Sequence, residues 1–297
     1  MEGFFGSAVQ LAALATMGAE LAASGVRIVF IHTLNPYGFA WSRHVNEDNI
    51  DLNRNFVLEG EQYAGCPHGY ARLDSLLNPP RPPRWQDAVP LRALPVILRE
   101  GLPALTQAVV GGQYDFPKGL FFGGRAQAPT VRILADHLPQ WIGDCERVLH
   151  LDLHTGLGKW ATYQLLADDL TPSDWWSRAQ PTLSGHRIIL PQSASGSYRI
   201  RGGLGHWTAA WFAGRNYQLS YTEFGSYHPI RVLHGLRAEN QTHHWGRSQD
   251  PSTVRAKRRL RELFCPGDAG WRKQSLAQAL ALLDAAHRLL GARDDAV

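Results

Sequence analysis

Three short polar segments carry the residue types that can do chemistry: Asp51-Leu52-Asn53-Arg54-Asn55-Phe56, Asp152-Leu153-His154-Thr155-Gly156 and Tyr221-Thr222-Glu223-Phe224-Gly225. Arg54 offers a planar, bidentate grip on a carboxylate, and Asn53 adds a neutral donor beside it. Glu223 is a candidate general base, and His154 a candidate metal ligand. Taken singly, each segment also reads as an ordinary capped strand end whose polar groups hydrogen-bond locally. Their force is collective, so the question becomes which elements bring them together.

The apolar pattern predicts an α/β fold in a single domain spanning residues 1–297. Residues 7–23, rich in Ala and Leu, predict a helix capped by Ser7, packed through Val9, Leu11, Leu14 and Leu21, and closed by Gly25. A β-branched run follows at 26–31, and strands are predicted again at 147–153 and 217–222. Pro79, Pro80, Pro82 and Pro83 make a stiff loop, and 89–110 reads as a helix interrupted or started at Pro90 and Pro95. Further helices are expected at 130–141, 230–245, 254–264 and 274–290, the last with a stripe of Leu276, Leu280, Leu283, Ala286 and Leu290. Two of the polar segments thus begin where a predicted strand ends, the edge at which open α/β sheets place ligands.

In order and content the segments resemble the carboxypeptidase A-like zinc hydrolases, a superfamily that includes succinylglutamate desuccinylases and aspartoacylases, and the match is nearest to an uncharacterised bacterial branch of it. That resemblance implies a mixed, mostly parallel sheet flanked by helices, a His-x-x-Glu motif and a distant His holding zinc, an Asn-Arg pair gripping a substrate carboxylate, and a late Glu as base. Asn53, Arg54, His154 and Glu223 follow in that order here. The opening Met1-Glu2-Gly3-Phe4-Phe5-Gly6-Ser7 is similar to the stretch around the family's glutamate ligand, with Met1 where relatives carry Val. On this alignment Glu2 is the glutamate ligand, and the histidine three places earlier falls before Met1. The expectation is therefore a chain whose first strands and first ligand lie upstream of an internal GTG codon read as the start.

The resemblance implies zinc as cofactor, with Glu2 and His154 as ligands, Glu223 taking a proton from water and returning it to the leaving nitrogen, and Arg43 polarising the scissile carbonyl. Catalytic zinc usually takes three protein ligands and keeps one position open for water. Asp152 is expected on the opposite face of its strand from His154, as structural support. Tyr198, in the loop Ser195-Gly196-Ser197-Tyr198, is a candidate to close over substrate, against the alternative of an ordinary loop tyrosine. His32 could replace the absent ligand, although a loop or core role is the plainer reading, and the adjacent His243 and His244 cannot share one helix face. Substrates would be small peptides or N-acyl amino acids.

Composition removes several other classes. A formal charge of +4 comes from scattered bases, apart from Arg255, Lys257, Arg258, Arg259 and Arg261, which at helical spacing read as a solvated face. No nucleic-acid or membrane partner is indicated. The three cysteines, Cys66, Cys145 and Cys265, suit neither a disulfide framework nor a cysteine-rich zinc site, which suggests a cytoplasmic, soluble protein. Gly202-Gly203-Leu204-Gly205 lacks the lysine of a phosphate loop, and no Gly-x-Ser-x-Gly elbow occurs. The rival to the hydrolase is a catalytically inactive remnant that binds a carboxylate or serves a structural role.

Overall fold

Alternating apolar and polar residues mark the two longest strands, Arg147–Thr155 and Asn216–Phe224, and the runs around them become helices. The computed structural model describes residues 1–84, 107, 109–167, 173–183, 185–189 and 200–291. In chain order the elements are helices α1 (Gly3–Ala23), α2 (Pro36–Trp41), α3 (Tyr70–Leu77) and α4 (Pro129–Ile142), then strands β1 (Arg147–Thr155) and β2 (Tyr163–Ala167). Helix α5 (Ser173–Ala179), strand β3 (Ile188–Ile189), helix α6 (Leu204–Trp211) and strand β4 (Asn216–Phe224) follow, and α7 (Pro229–Trp245), α8 (Pro251–Phe264) and α9 (Ala269–Gly291) end the described chain. The result is an α/β fold with a mixed, mostly parallel sheet between helices.

The sheet order is β1-β4-β2-β3. β1 and β4 run parallel, with Arg147 opposite Asn216 and His154 opposite Glu223. β2 is antiparallel to β4 and parallel to β3. Side chains alternate across the sheet. Val148, Tyr217 and Leu219 therefore pack with α4 and α6 through Leu134, Leu138, Ile142, Leu204 and Trp207. On the other face, Leu149, Leu151 and Leu165 meet Leu282, Ala285 and Leu289 of α9, while Phe5 and Val9 of α1 pack with Leu153, Phe224 and Trp271.

Several sequence expectations shift. α1 starts at Gly3, so Ser7 is inside the helix and its hydroxyl bonds His32 Nε2 at 2.8 Å instead of capping it. Phe5, Val9 and Ala13 face inward, whereas Leu11 and Leu14 are 63% and 52% exposed. By length and composition alone α1 could cross a membrane. In α9 the buried positions are Trp271, Ser275, Ala279, Leu282, Ala285, Ala286 and Leu289; of the expected stripe Ala286 is buried, and Leu276 and Leu283 are half-buried against the core around Phe5 and Trp271. Residues 26–31 join no strand ladder among the described residues. Most of the helix expected at 89–110 lies outside the described residues.

On α8, Arg255, Arg258, Arg259 and Arg261 are exposed, while Lys257 turns inward to Glu239 at 2.9 Å. All three cysteines are free thiols.

Candidate functional site

Parallel pairing of β1 with β4 places His154 beside Glu223 at the C-terminal ends of two neighbouring strands. α1 brings Glu2 to the same place, because its Oε2 accepts the backbone N–H of Thr155 at 3.0 Å. A 3-10 turn, Leu52–Arg54, adds Asn53 and Arg54. Asp51 initiates that turn by accepting the Asn53 N–H at 3.1 Å. Glu2, His44, Asp51, Asn53, Asp152 and His154 line one cavity of about 410 Å³.

His154 is held between two carboxylates: Nδ1 lies 2.8 Å from Glu2 Oε2, and Nε2 lies 2.8 Å from Asp152 Oδ2. Asp152 is thus not on the far face of the strand, as the sequence reading had it. Residues two apart on a strand share a face, so Asp152 is the group that fixes the His154 ring. Burial opposes charge on the imidazole, but the Asp152 and Glu2 carboxylates outweigh it and raise His154 well above the usual histidine range. Burial likewise pushes Glu2 upward, yet His154 and His44 more than offset this and hold it below the usual carboxylate range. For Asp152, too, burial is outweighed by His154 and His150, and its carboxyl is lowered.

Glu223 behaves in the opposite way. Its side chain is buried, its Oε2 has no hydrogen-bond partner among the described residues, and burial, with the nearby Glu2 and Asp152 charges, pushes its carboxyl up to about 8 against the His154 charge and a hydrogen bond from the Leu157 backbone. A buried carboxyl with one oxygen unsatisfied beside a charged pair is the kind of perturbed group that marks a candidate functional site. Directly after β4, Gly225 permits the tight approach of Lys159, whose carbonyl oxygen would lie 1.9 Å from an added Cβ.

Arg43 does not face the cavity. Its side chain is fully buried, with Nε 3.0 Å from Glu239 and Nη2 bonded to Asn49 and Asn240. The next residue, His44, takes the position facing the site: Nδ1 is 3.7 Å from Glu2 Oε1, Nε2 is 3.4 Å from Asp51 Oδ2, and the ring stacks on Phe264. Sequence reasoning passed over His44 because the charged Arg43 was the more conspicuous neighbour; the site-facing residue two beyond the αL Ser42 depends on the turn geometry.

Arg54 is also largely committed to structure. Nε and Nη2 donate to the Val110 carbonyl at 3.1 and 2.8 Å, and Nη1 donates to the Asn53 carbonyl at 2.8 Å. Its stem presses on Gly112, at φ +91°, where an added Cβ would lie 2.6 Å from Arg54 Cδ. Asp51 is held at about 2: burial works upward, and the Arg54 charge, His44 and the Asn53 N–H more than reverse it. Asn53 uses its Oδ1 to accept the Leu204 N–H at 3.0 Å. Its side-chain amide N–H₂ makes no hydrogen bond among the described residues, so Asn53 is the better placed of the pair to meet a ligand. Tyr198 lies outside the described residues.

For a metal, the donors fit in kind. Glu2 Oε2 and His154 Nδ1 point at one another across the distance of a shared proton, and Asp152 backs the second ring nitrogen in the way carboxylates back zinc-bound histidines. In number the set is short, since among the described residues no group of three or more His, Cys, Asp or Glu side chains surrounds one point. His32 is engaged by Ser7 and does not join them.

No curated protein and no solved structure matches the chain. A family model described as "Protein of unknown function (DUF2817)" matches residues 1–278, and the chain therefore belongs to that family.

Proposed function

We propose that this chain carries the greater part of a zinc-dependent hydrolase that cleaves an amide or peptide bond next to a carboxylate. The observation that supports this reading best is the Glu2–His154–Asp152 arrangement, with the buried Glu223, its Oε2 unsatisfied, as the register neighbour of His154. Glu2 and His154 would hold the metal, with a third donor from the histidine that the resemblance puts before Met1. Zinc, when bound, supplies Lewis acidity and a positive charge.

In that field the Glu223 carboxylate is favoured over its acid, so Oε2 can accept a proton from the attacking water and pass it to the leaving nitrogen. Burial serves this role twice: it excludes bulk water, and it keeps the proton affinity of Glu223 high enough for transfer near neutral pH. His44, facing the cavity beside Glu2, is positioned to donate a hydrogen bond to a carbonyl oxygen as negative charge develops on it. Asn53 would donate its free amide N–H to the substrate carboxylate, while buried Arg54 adds positive charge behind it. Small peptides and N-acyl amino acids both present that carboxylate.

The test is metal content per chain by elemental analysis, together with release of free amino acid from a panel of N-acyl amino acids and dipeptides. It compares this chain with one lengthened upstream through the expected histidine. About one equivalent of zinc and hydrolysis in the lengthened chain support the proposal. No metal and no turnover in either form overturn it in favour of an inactive, carboxylate-binding remnant.

A further inference from the structure

The cavity that contains the candidate site does not stop there. It follows β1 from His154 back to Val148, about 20 Å at the rise of a strand. Its side walls are β1 and residues 26–35. Leu134, Leu138 and Ile142 of α4 close it on one face of the sheet, and Gly6 and Val9 of α1 with Leu283, Ala286 and Leu290 of α9 close it on the other. The space therefore lies in the plane of the sheet, between its two helical layers. Close-packed interiors rarely leave apolar space of this size.

Both side walls have unused main-chain edges. β1 is the terminal strand in the sheet order, hydrogen-bonded only to β4 among the described strands. Residues 26–31 make no main-chain-to-main-chain hydrogen bond among the described residues, although their composition is that of a strand. Backbone donors and acceptors in such a place need partners. Leu283 and Leu290, which the helical pattern assigns to a core, line this cavity.

We propose that the cavity is a strand slot, filled by an extended stretch of polypeptide that precedes Met1, runs parallel to β1 and completes the sheet between β1 and residues 26–31. The direction follows from the ends. Met1, Glu2 and Gly3 line the cavity at the C-terminal end of β1, where Glu2 accepts the Thr155 N–H. A strand parallel to β1 would arrive there. α1 then returns to the opposite end, where Arg27 donates to the Ile142 carbonyl and Gly291 approaches Val26. Slot strand, α1 and residues 26–31 so form one parallel crossover, the usual way to join parallel strands.

Met1 itself agrees with a continuing chain. Its α-amino nitrogen is buried and donates to the Arg43 carbonyl at 3.2 Å. A buried charge is costly, whereas a peptide N–H at that position keeps the same bond without the charge. The occupant is expected to be apolar on both faces, since helices cover the slot above and below.

The experiment is amide hydrogen exchange on the chain as given and on the chain lengthened upstream in the gene's reading frame by more than the nine residues of β1. Amides at 149–153 and 27–31 should exchange at least about tenfold more slowly in the lengthened chain. Should the shorter chain not stay folded, the lengthened one alone decides: a filled slot gives β1 amides protection within about tenfold of those in β4. Unchanged exchange, β1 amides that exchange as a free edge, or a stop codon directly before Met1 in that frame overturns the proposal. Protection without zinc or hydrolysis leaves the slot strand standing and removes the hydrolase; zinc binding without protection does the reverse.

Discussion

Glu2 Oε2 meets His154 Nδ1 at 2.8 Å, joining the start of the first helix to the end of an edge strand. The ring cannot swing away, because Asp152 holds Nε2 at the same distance. This three-residue line sets the first expectation. Asp152→Asn should weaken zinc binding about 10- to 100-fold in the lengthened chain, since a neutral amide no longer raises the basicity of the ring. Competition with a chelator of known affinity measures it, and an unchanged zinc affinity would sink the positioning role.

Glu223→Gln separates base from ligand. Zinc content should stay near that of the parent, while kcat falls about 10²- to 10⁴-fold, the usual contribution of a positioned proton acceptor. Loss of metal in this variant would instead make Glu223 a ligand.

Arg43 and His44, adjacent in the chain, should respond differently to substitution. Arg43→Ala leaves Glu239 buried with only Lys257 as a charged partner. Breaking a buried pair this way costs about 3–5 kcal/mol, read as a lower denaturant midpoint. His44→Gln removes only the longer contacts to Glu2 and Asp51, so it should lower the midpoint much less than Arg43→Ala while lowering kcat. A midpoint drop as large in the His44 variant would assign that residue to the scaffold.

Acid stability depends on a different region. His243 and His244, near the C-terminal end of α7, are each lowered to about 4 by burial first and then by the Arg43 charge. In the unfolded chain they protonate near 6.5, so the unfolded state binds more protons between the two values. Their contribution is present above pH 6.5 and is lost as pH falls toward 4. The thermal midpoint should fall between pH 6.5 and 5, before most carboxylates titrate, and the double variant His243→Gln, His244→Gln should flatten that slope. An equal slope in both proteins would refute the assignment.

Local pattern was enough to read the α/β class, the strands that end in His154 and Glu223, and the helices that follow them, because these depend on side-chain periodicity within a few residues. The turn at Leu52–Arg54 was not read from the sequence, although the contact that sets it, Asp51 accepting the Asn53 N–H, is local. Which of Arg43 and His44 faces the cavity was not legible, because it turns on Glu239 far along the chain claiming the guanidinium. Ser7 was misassigned as a cap, and the α9 stripe was read only in part, for the same kind of reason: a helix pattern gives a face, but the layer it packs on sets its rotation and width. Residues 26–31 have the composition of a strand, yet a ladder needs a partner edge, and only the tertiary structure reveals that the nearest one lies across a cavity.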